Sequence, residues 1–269
     1  MKKYLNWALM LPLIASLSLA GCQKEDEEIK PFEPTPTTPT NPVEDMILIG
    51  SGTSDIAEVD IRIYADVDPF VGYNKLYIAV LEKGKLKSVT NAEVMLMPMM
   101  NMNSGMNHAC PVENPTGVNA DNMFEGSVIF IMPSGMMGTW TLGVHVMNKD
   151  NGMEDKVDMN IDVMAPDDAR LFSFESPVDG KKIFITLIEP SNPEVGMNDL
   201  IISAHQKASM ESFPAVTDLN IEFEPMMPSM GHGSPNNVNP THTEMGHYEG
   251  VVNFTMSGWW ELNMTIKDD

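Results

Sequence analysis

Short runs of alternating apolar and polar residues recur along the chain from about residue 46 to its end. Examples are Leu76–Leu81, Trp140–Val146 and Leu200–Ala204, and clusters of Gly, Pro, Asn and Asp separate them. Alternation with a period of two predicts β-strands, and no window sustains a helical period. With roughly six or seven such runs in each half, the pattern predicts an all-β chain of two tandem immunoglobulin-like antiparallel β-sandwich domains.

The two halves repeat one another in sequence. Val71–Leu76 corresponds to Val195–Leu200 at an offset of 124 residues, and the same offset relates Phe124 to Tyr248. Each copy passes from a hydrophobic strand into a loop rich in Met and His, and then reaches a strand containing Gly-x-Trp. We therefore place one β-sandwich domain at residues 46–165 and the other at 166–269.

The N-terminus has the features of an export signal. Lys2 and Lys3 precede the apolar stretch Leu5–Leu19, which has the length of a signal-peptide core. The Leu-Ala-Gly-Cys sequence that ends at Cys22 resembles a bacterial lipobox. We expect a lipoprotein signal peptide at 1–21, an acylated Cys22, and an acidic, Pro-rich tether at 22–45. The lipid would anchor the protein to the outer membrane, on the periplasmic or the cell-surface side, and the acidic run after Cys22 favours the surface.

Composition narrows the choice of partners and ligands. The chain has 16 basic and 38 acidic residues, a net charge of −22, which argues against nucleic acid as a partner. Methionine is unusually frequent, at 25 residues. If Cys22 is lipidated, Cys110 has no cysteine partner, so we expect it to be buried or bound to metal.

The Met- and His-rich loops suggest a soft-metal site in each copy. Thioether sulfur suits Cu(I), and imidazole suits both Cu(I) and Cu(II). The second copy offers candidate ligands at the two ends of its loop: Met226, Met227, Met230, His232, His242, Met245 and His247. The first copy is richer in sulfur: Met99, Met100, Met102, Met106, His108 and Cys110, with Met123 where the second copy has His247. We expect each set to converge on one ion, with Cu(I) favoured and Cu(II) or Zn possible in the second copy.

Other Met and His residues have simpler interpretations. We expect His145 and His205 to be surface residues on outward strand positions. We expect the methionines in or beside the other strands to be core or filler: Met132, Met147, Met159, Met256 and Met264. Met95 and Met97 occupy outward positions where the second copy has Glu222 and Glu224. They either pack between the domains, which we expect, or belong to a ligand face.

The combined pattern resembles the YtkA-like family, which is related to FixH-type domains. The resemblance covers about residues 71–147 and 195–266, as two tandem copies, and it is best at Met226–His232, Gly246–Gly250 and Gly258–Trp260. It implies a small extracytoplasmic β-sandwich concerned with copper handling or oxidase assembly. The first copy departs from the pattern through its longer Met run and through Met123.

These observations predict a copper-handling protein that acts as a chaperone, buffer or sensor, with a copper-donor or copper-acceptor protein as partner. The alternative is a metal-free surface binding or adhesion module whose Met-rich faces dock a protein or polymer. We do not expect an enzyme, because no arrangement of nucleophile, base or paired carboxylates has usable spacing.

Overall fold

The computed structural model describes Val43 and residues 45–268. The predicted signal peptide, Cys22 and nearly all of the predicted tether lie outside the described residues. Within the described part, all regular elements are β-strands, which confirms the all-β prediction. The same residues include no helix with the length and apolar character that crossing a membrane requires.

The first sandwich packs two antiparallel sheets against each other. Its strands are β1 (Ile47–Ser54), β2 (Val59–Ala65), β3 (Gly72–Glu82), β4 (Ala92–Met102), β5 (Asn107–His108), β6 (Val112–Glu113), β7 (Phe124–Phe130), β8 (Gly138–Asn148) and β9 (Met153–Ile161). One sheet has the order β1-β2-β3-β7-β6, and the other has the order β5-β4-β8-β9.

The second sandwich has the same plan. Its strands are β10 (Leu171–Glu175), β11 (Lys182–Glu189), β12 (Gly196–Gln206), β13 (Leu219–Met227), β14 (His232–Gly233), β15 (Val238–His242), β16 (His247–Phe254) and β17 (Glu261–Asp268). The sheets are β10-β11-β12-β16-β15 and β14-β13-β17. The second sandwich differs in one strand: among the described residues, no strand pairs with β17 in the way that β9 pairs with β8.

Alternate residues of each strand form the two cores. In β4, Val94, Leu96 and Met100 point inward, and in β13 the inward residues include Ile221 and Phe223. Burying a side chain of this size contributes about 1.5–3 kcal/mol, so the alternation seen in the sequence is what holds the sheets together. Trp140 and Trp260 are fully buried, one at the centre of each core.

Matching hydrogen bonds show that the two sandwiches share a skeleton in detail. Asn74 Oδ1 accepts from the N–H of Phe70 at 2.9 Å, and Asn74 Nδ2 donates to the carbonyl of the same residue at 2.8 Å. Asn198 does the same with Glu194, at 2.8 Å in both directions. The repeat seen in the sequence is therefore a repeat of structure. The immunoglobulin-like character and the boundary between residues 165 and 166 remain predictions.

The sandwiches contact each other through the sheet that contains β6 and β7. The N–H of Ala109 donates to the carbonyl of Met210 at 2.8 Å, and Glu113 bonds to His247. Met95 and Met97 lie on the other sheet and are 47% and 49% exposed. Neither side chain is buried between the domains as expected, although Met97 borders their contact, because it lines a cleft that residues 211–214 also line.

Candidate metal centre

Two histidines occupy equivalent places beside the buried tryptophans. His108 pairs with Met100 where β5 meets the end of β4, and His232 pairs with Met227 where β14 meets the end of β13. The imidazole of His108 meets the ring of Trp140 edge-on, with centroids 5.5 Å apart, and His232 meets Trp260 in the same way at 5.9 Å. The short hairpins that carry the histidines therefore place both rings at the same end of their sandwiches.

Backbone carbonyls fix the tautomer of both rings. His108 Nδ1 lies 2.8 Å from the carbonyl oxygen of Ala109, and His232 Nδ1 lies 2.8 Å from that of Gly233. A carbonyl only accepts, so Nδ1 carries the hydrogen, and Nε2 of the neutral ring keeps its lone pair. Histidines that bind metals commonly make this bond with their other nitrogen. Both rings are thus oriented as nitrogen donors.

A thioether faces the free nitrogen in the first sandwich. Met132 Sδ lies 3.2 Å from Nε2 of His108, which is almost completely buried. The carbonyl of Met132 accepts from the indole Nε1 of Trp140 at 2.8 Å, which fixes the backbone at this point. Nitrogen and sulfur bound to one tetrahedral ion, at about 2.0 Å and 2.3 Å, would lie about 3.5 Å apart. The pair is therefore close to the spacing that a shared ion needs.

The second sandwich has a more open version of this site. Met256 corresponds to Met132 at the same offset of 124 residues, and its carbonyl accepts from Nε1 of Trp260 at 3.1 Å. Met256 is 38% exposed, and His232 is only half-buried. The second site is thus more accessible from solvent than the first.

More methionines surround the first site. Met102 donates its N–H to the carbonyl of Met106 at 3.0 Å, and Asn103 bonds to the carbonyl of Met137 at 3.0 Å. The hairpin thereby lies against the turn that ends at Gly138, where a Cβ would lie 2.3 Å from the Asn101 carbonyl oxygen. Met106, Met136 and Met137 are 56%, 94% and 59% exposed. The sequence singled out Met102 and Met106 here but missed Met132, Met136 and Met137.

Several predicted ligands are buried or point away from the two histidines. Met100 and Met227 lie directly opposite His108 and His232, but their side chains belong to the cores, and Cys110 is buried in the first core. Burial raises the pKa of the Cys110 thiol well above its ordinary value. Met99 and Met226 lie on outward strand positions, and Met230 is exposed in the turn before His232.

The predicted convergence of both loop ends on one ion is wrong. His247 begins β16, whereas Phe254, which ends it, packs against Trp260 with ring centroids 5.6 Å apart. Seven residues of strand span about 23 Å, so His232 and His247 lie at opposite ends of the sandwich. The reason is that β15 runs back along the sheet between them. Its last residue, His242, packs against Tyr248, with ring centroids 5.3 Å apart. Met245 lies in the following turn at this far end.

His247 instead joins the two sandwiches. Its Nε2 lies 2.5 Å from Oε1 of Glu113, whose other oxygen accepts from Tyr73 at 2.8 Å and from Ser127 at 2.7 Å. The bond to Glu113 raises the pKa of His247 and outweighs the opposing effect of burial. Burial alone would raise the pKa of Glu113, but the hydrogen bonds from His247 and Ser127 lower it overall. Met123, its counterpart in the first sandwich, is buried with Tyr64 and Tyr77.

His205 is another correction. The strand parity predicted a surface histidine, but the side chain is buried and burial lowers its pKa to about 4. Phe184, which lies directly opposite His205 in β11, packs against Phe213 of the segment that follows β12, with ring centroids 5.9 Å apart, so this face of the sheet is covered. Of the predicted core methionines, Met159 and Met264 are buried as expected.

Comparison with known proteins supports one part of this picture. Residues 178–265 match the family model described as YtkA-like, so the second sandwich is similar to a YtkA-like domain. The match does not include the first sandwich. No curated protein and no solved structure matches the chain.

Proposed function

We propose that this protein binds copper in the cell envelope, Cu(I) first, at a His–Met site in each sandwich, and passes the ion to or receives it from a partner protein. The observation that carries the proposal is the contact between His108 Nε2 and Met132 Sδ at 3.2 Å. With the hydrogen of the imidazole on Nδ1, Nε2 and Sδ both present lone pairs, and a soft cation can bind both. The similarity to YtkA-like domains supports an extracytoplasmic location.

The surroundings of the first site suit handling of an ion rather than turnover of a substrate. The imidazole is buried against Trp140, while Met106 and Met137 lie exposed on the hairpin and turn beside it. Thioethers are neutral and exchange readily at Cu(I), so an exposed sulfur can receive an ion that the buried pair then holds. The more open second site, with Met230 and Met256 exposed, offers a weaker place for the same ion.

The test measures Cu(I) affinity on the purified full-length protein, without oxygen, in competition with a coloured Cu(I) chelator. His108→Ala removes the nitrogen donor of the first site, and Met132→Leu removes the sulfur while keeping the side-chain volume. Each should weaken the first site roughly tenfold or more. Quenching of Trp140 fluorescence by the bound ion should be lost in parallel.

Two control variants make this test specific. Met159→Leu changes a buried core methionine of the same sandwich, and His242→Ala changes a predicted ligand at the far end of the other one. Both should leave Cu(I) affinity within experimental error. Unchanged affinity in His108→Ala and Met132→Leu would refute the first site.

A metal-free docking module is the second candidate function. The exposed thioethers of Met106, Met136 and Met137 form an apolar surface at the end of the first sandwich. Flexible methionines adapt to varied partners, so such a surface can dock a protein. Under this alternative, the protein has no specific copper site, and His108→Ala with His232→Ala would leave partner binding intact.

A further inference from the structure

The outer face of the β4–β8 sheet carries two thioethers beside an imidazole. Met95 lies directly opposite His145, and Met97 lies opposite Gly143, the next residue of β8 on the same face. Directly opposed residues in antiparallel strands have Cβ atoms about 5 Å apart, and diagonal neighbours lie about 7–8 Å apart. The thioethers of Met95 and Met97 and the imidazole of His145 are therefore all within reach of one ion.

This cluster is separate from the His–Met site of the same sandwich. His108 and Met132 belong to the buried end of the sandwich, whereas Met95 and Met97 point to solvent from the opposite face of β4 to Leu96 and Met100. The strand parity predicts only a surface histidine at His145. The strand register instead gives it a methionine partner on the neighbouring strand.

The charges around His145 favour a cation. Glu154 Oε2 lies 3.6 Å from His145 Nε2. Lys156, which faces His145 from β9, has its ammonium group 2.9 Å from Asp158, which neutralises it. Gly143 lets the side chains of Asp158, Lys156 and Met97 lie close over its backbone, since a Cβ there would lie 2.8 Å from Asp158 Oδ1, 3.1 Å from Lys156 Cδ and 3.4 Å from the Cβ of Met97.

The second sandwich shows that the fold does not require methionine at these positions. Glu222 and Glu224 stand in the places of Met95 and Met97, and they face Thr265 and Asn263. Glu222 binds Lys267 through its carboxylate. Charged residues thus occupy the same outward positions in an equivalent strand. The fold therefore does not explain the exposed thioethers of the first sandwich.

We propose that Met95, Met97 and His145 form a surface site for a soft monovalent cation, Cu(I) or Ag(I). Two thioethers and one imidazole are neutral, soft donors that suit such an ion and give hard cations little to bind. The shallow, exposed position allows rapid uptake and release. The identity of the ion as copper rests on the proposed function, but the site itself is independent of the two His–Met sites.

The first experiment removes the site by installing the residues of the second sandwich. Ag(I) is titrated into the full-length protein with ¹³C-labelled methionine methyl groups, and NMR follows each methyl signal. Met95→Glu with Met97→Glu should lower the number of bound Ag(I) ions by one per chain. Quenching of Trp140 by Ag(I) should be unchanged, which also shows that the first sandwich is folded.

The second experiment builds the site where it is absent. Glu222→Met, Glu224→Met and Thr265→His together reproduce the three donors in the same strand register. The triple variant should bind one additional Ag(I). The matched control, Glu222→Met with Glu224→Met, lacks the imidazole and should bind this extra ion at least tenfold more weakly.

The results separate this proposal from the proposed function. If the methyl signals of Met95 and Met97 do not shift with Ag(I), or if their replacement leaves the stoichiometry unchanged, the surface site is refuted. That outcome does not affect His108 and His232. Conversely, His108→Ala with His232→Ala should leave the shifts of Met95 and Met97 intact, and loss of those shifts would show that no independent site exists.

Discussion

The two sandwiches share a skeleton but differ in the chemistry that they carry. Asn74 and Asn198 make the same hydrogen bonds across equivalent turns. Trp140 and Trp260 each donate a hydrogen bond to an equivalent backbone carbonyl in their own sandwich. The side chains around these fixed points have diverged: the first sandwich has a buried His–Met contact, whereas in the second His232 is half-buried and Met256 is exposed. The comparison teaches that the skeleton depends on the buried Trp and Asn residues, whereas the exposed Met and His residues are free to serve ligands.

The largest expected effect tests the shared skeleton. Trp140→Ala and Trp260→Ala each remove a fully buried indole, so each should lower the free energy of unfolding of its own sandwich by about 3–5 kcal/mol. Chemical denaturation followed by circular dichroism measures both. If only one of the two variants lost stability, the two tryptophans would not play equivalent structural roles.

Replacing Asn74 should cost more stability than replacing Asn198. Asn74 is almost completely buried and also reaches the carbonyl of Val128 at 3.4 Å, whereas Asn198 bonds only within its own turn region. Asn74→Ala leaves buried backbone groups unpaired and should cost about 2–3 kcal/mol, against about 1 kcal/mol for Asn198→Ala. Equal losses, measured by urea denaturation, would contradict the difference in burial.

The contact between the sandwiches gives a pH-dependent prediction. The folded-state pKa of His247 is raised above its ordinary 6.5, so its contribution is complete below that pH and is lost as pH rises through the raised value. The pKa of Glu113 is lowered from 4.5, so its contribution is present above 4.5 and is lost as pH falls through the lowered value. The pair therefore stabilises most between pH 4.5 and 6.5.

His247→Met installs the residue that the first sandwich has at this position. Between pH 4.5 and 6.5 this substitution should lower the free energy of unfolding by about 2 kcal/mol, because it removes the charged hydrogen bond to Glu113. At alkaline pH the loss should be smaller, because His247 is then uncharged. Thermal unfolding of both proteins across pH measures the difference. His205 is present in both proteins, so its own titration contributes to both profiles. A difference that grows as pH rises would contradict the assigned protonation states.

The smallest expected effect concerns the outward positions of β4. Met95→Glu with Met97→Glu changes exposed residues to those of the second sandwich, so stability should shift by no more than about 0.5 kcal/mol. Denaturation in the absence of metal measures this. A larger loss would mean that the two thioethers contribute to packing, contrary to their exposure of 47% and 49%.

Much of the fold was predictable because apolar and polar residues alternate along a strand that has one buried face. The offset of 124 residues also predicted that His108 and His232 would be equivalent. The same offset joins Met132 to Met256, a signal that was present but was interpreted as core packing. Met132 and Met256 lie in turns whose backbone is fixed by a hydrogen bond from the indole of Trp140 or Trp260. The alternation of apolar and polar residues predicts strands but not such turns.

Other features of the site depend on contacts between distant segments. Strand parity placed His205 outside, but Phe213 of the segment that follows β12 packs on the neighbouring Phe184 and covers that face. The loop between His232 and His247 was expected to close on itself, whereas β15 extends it along a full sheet edge. Parity tells which side of a strand a residue takes, but only the tertiary arrangement decides what lies on that side.

The burial of Cys110 has a consequence for the reactivity of its thiol. A thiol that is enclosed in the first core and kept protonated reacts slowly with peroxide and takes little part in thiol–disulfide exchange. Copper in its oxidised form promotes just such reactions at accessible sulfhydryls. By sealing the Cys110 sulfur among hydrocarbon side chains, the fold would keep the copper of the proposed function away from the side chain that it would oxidise most readily.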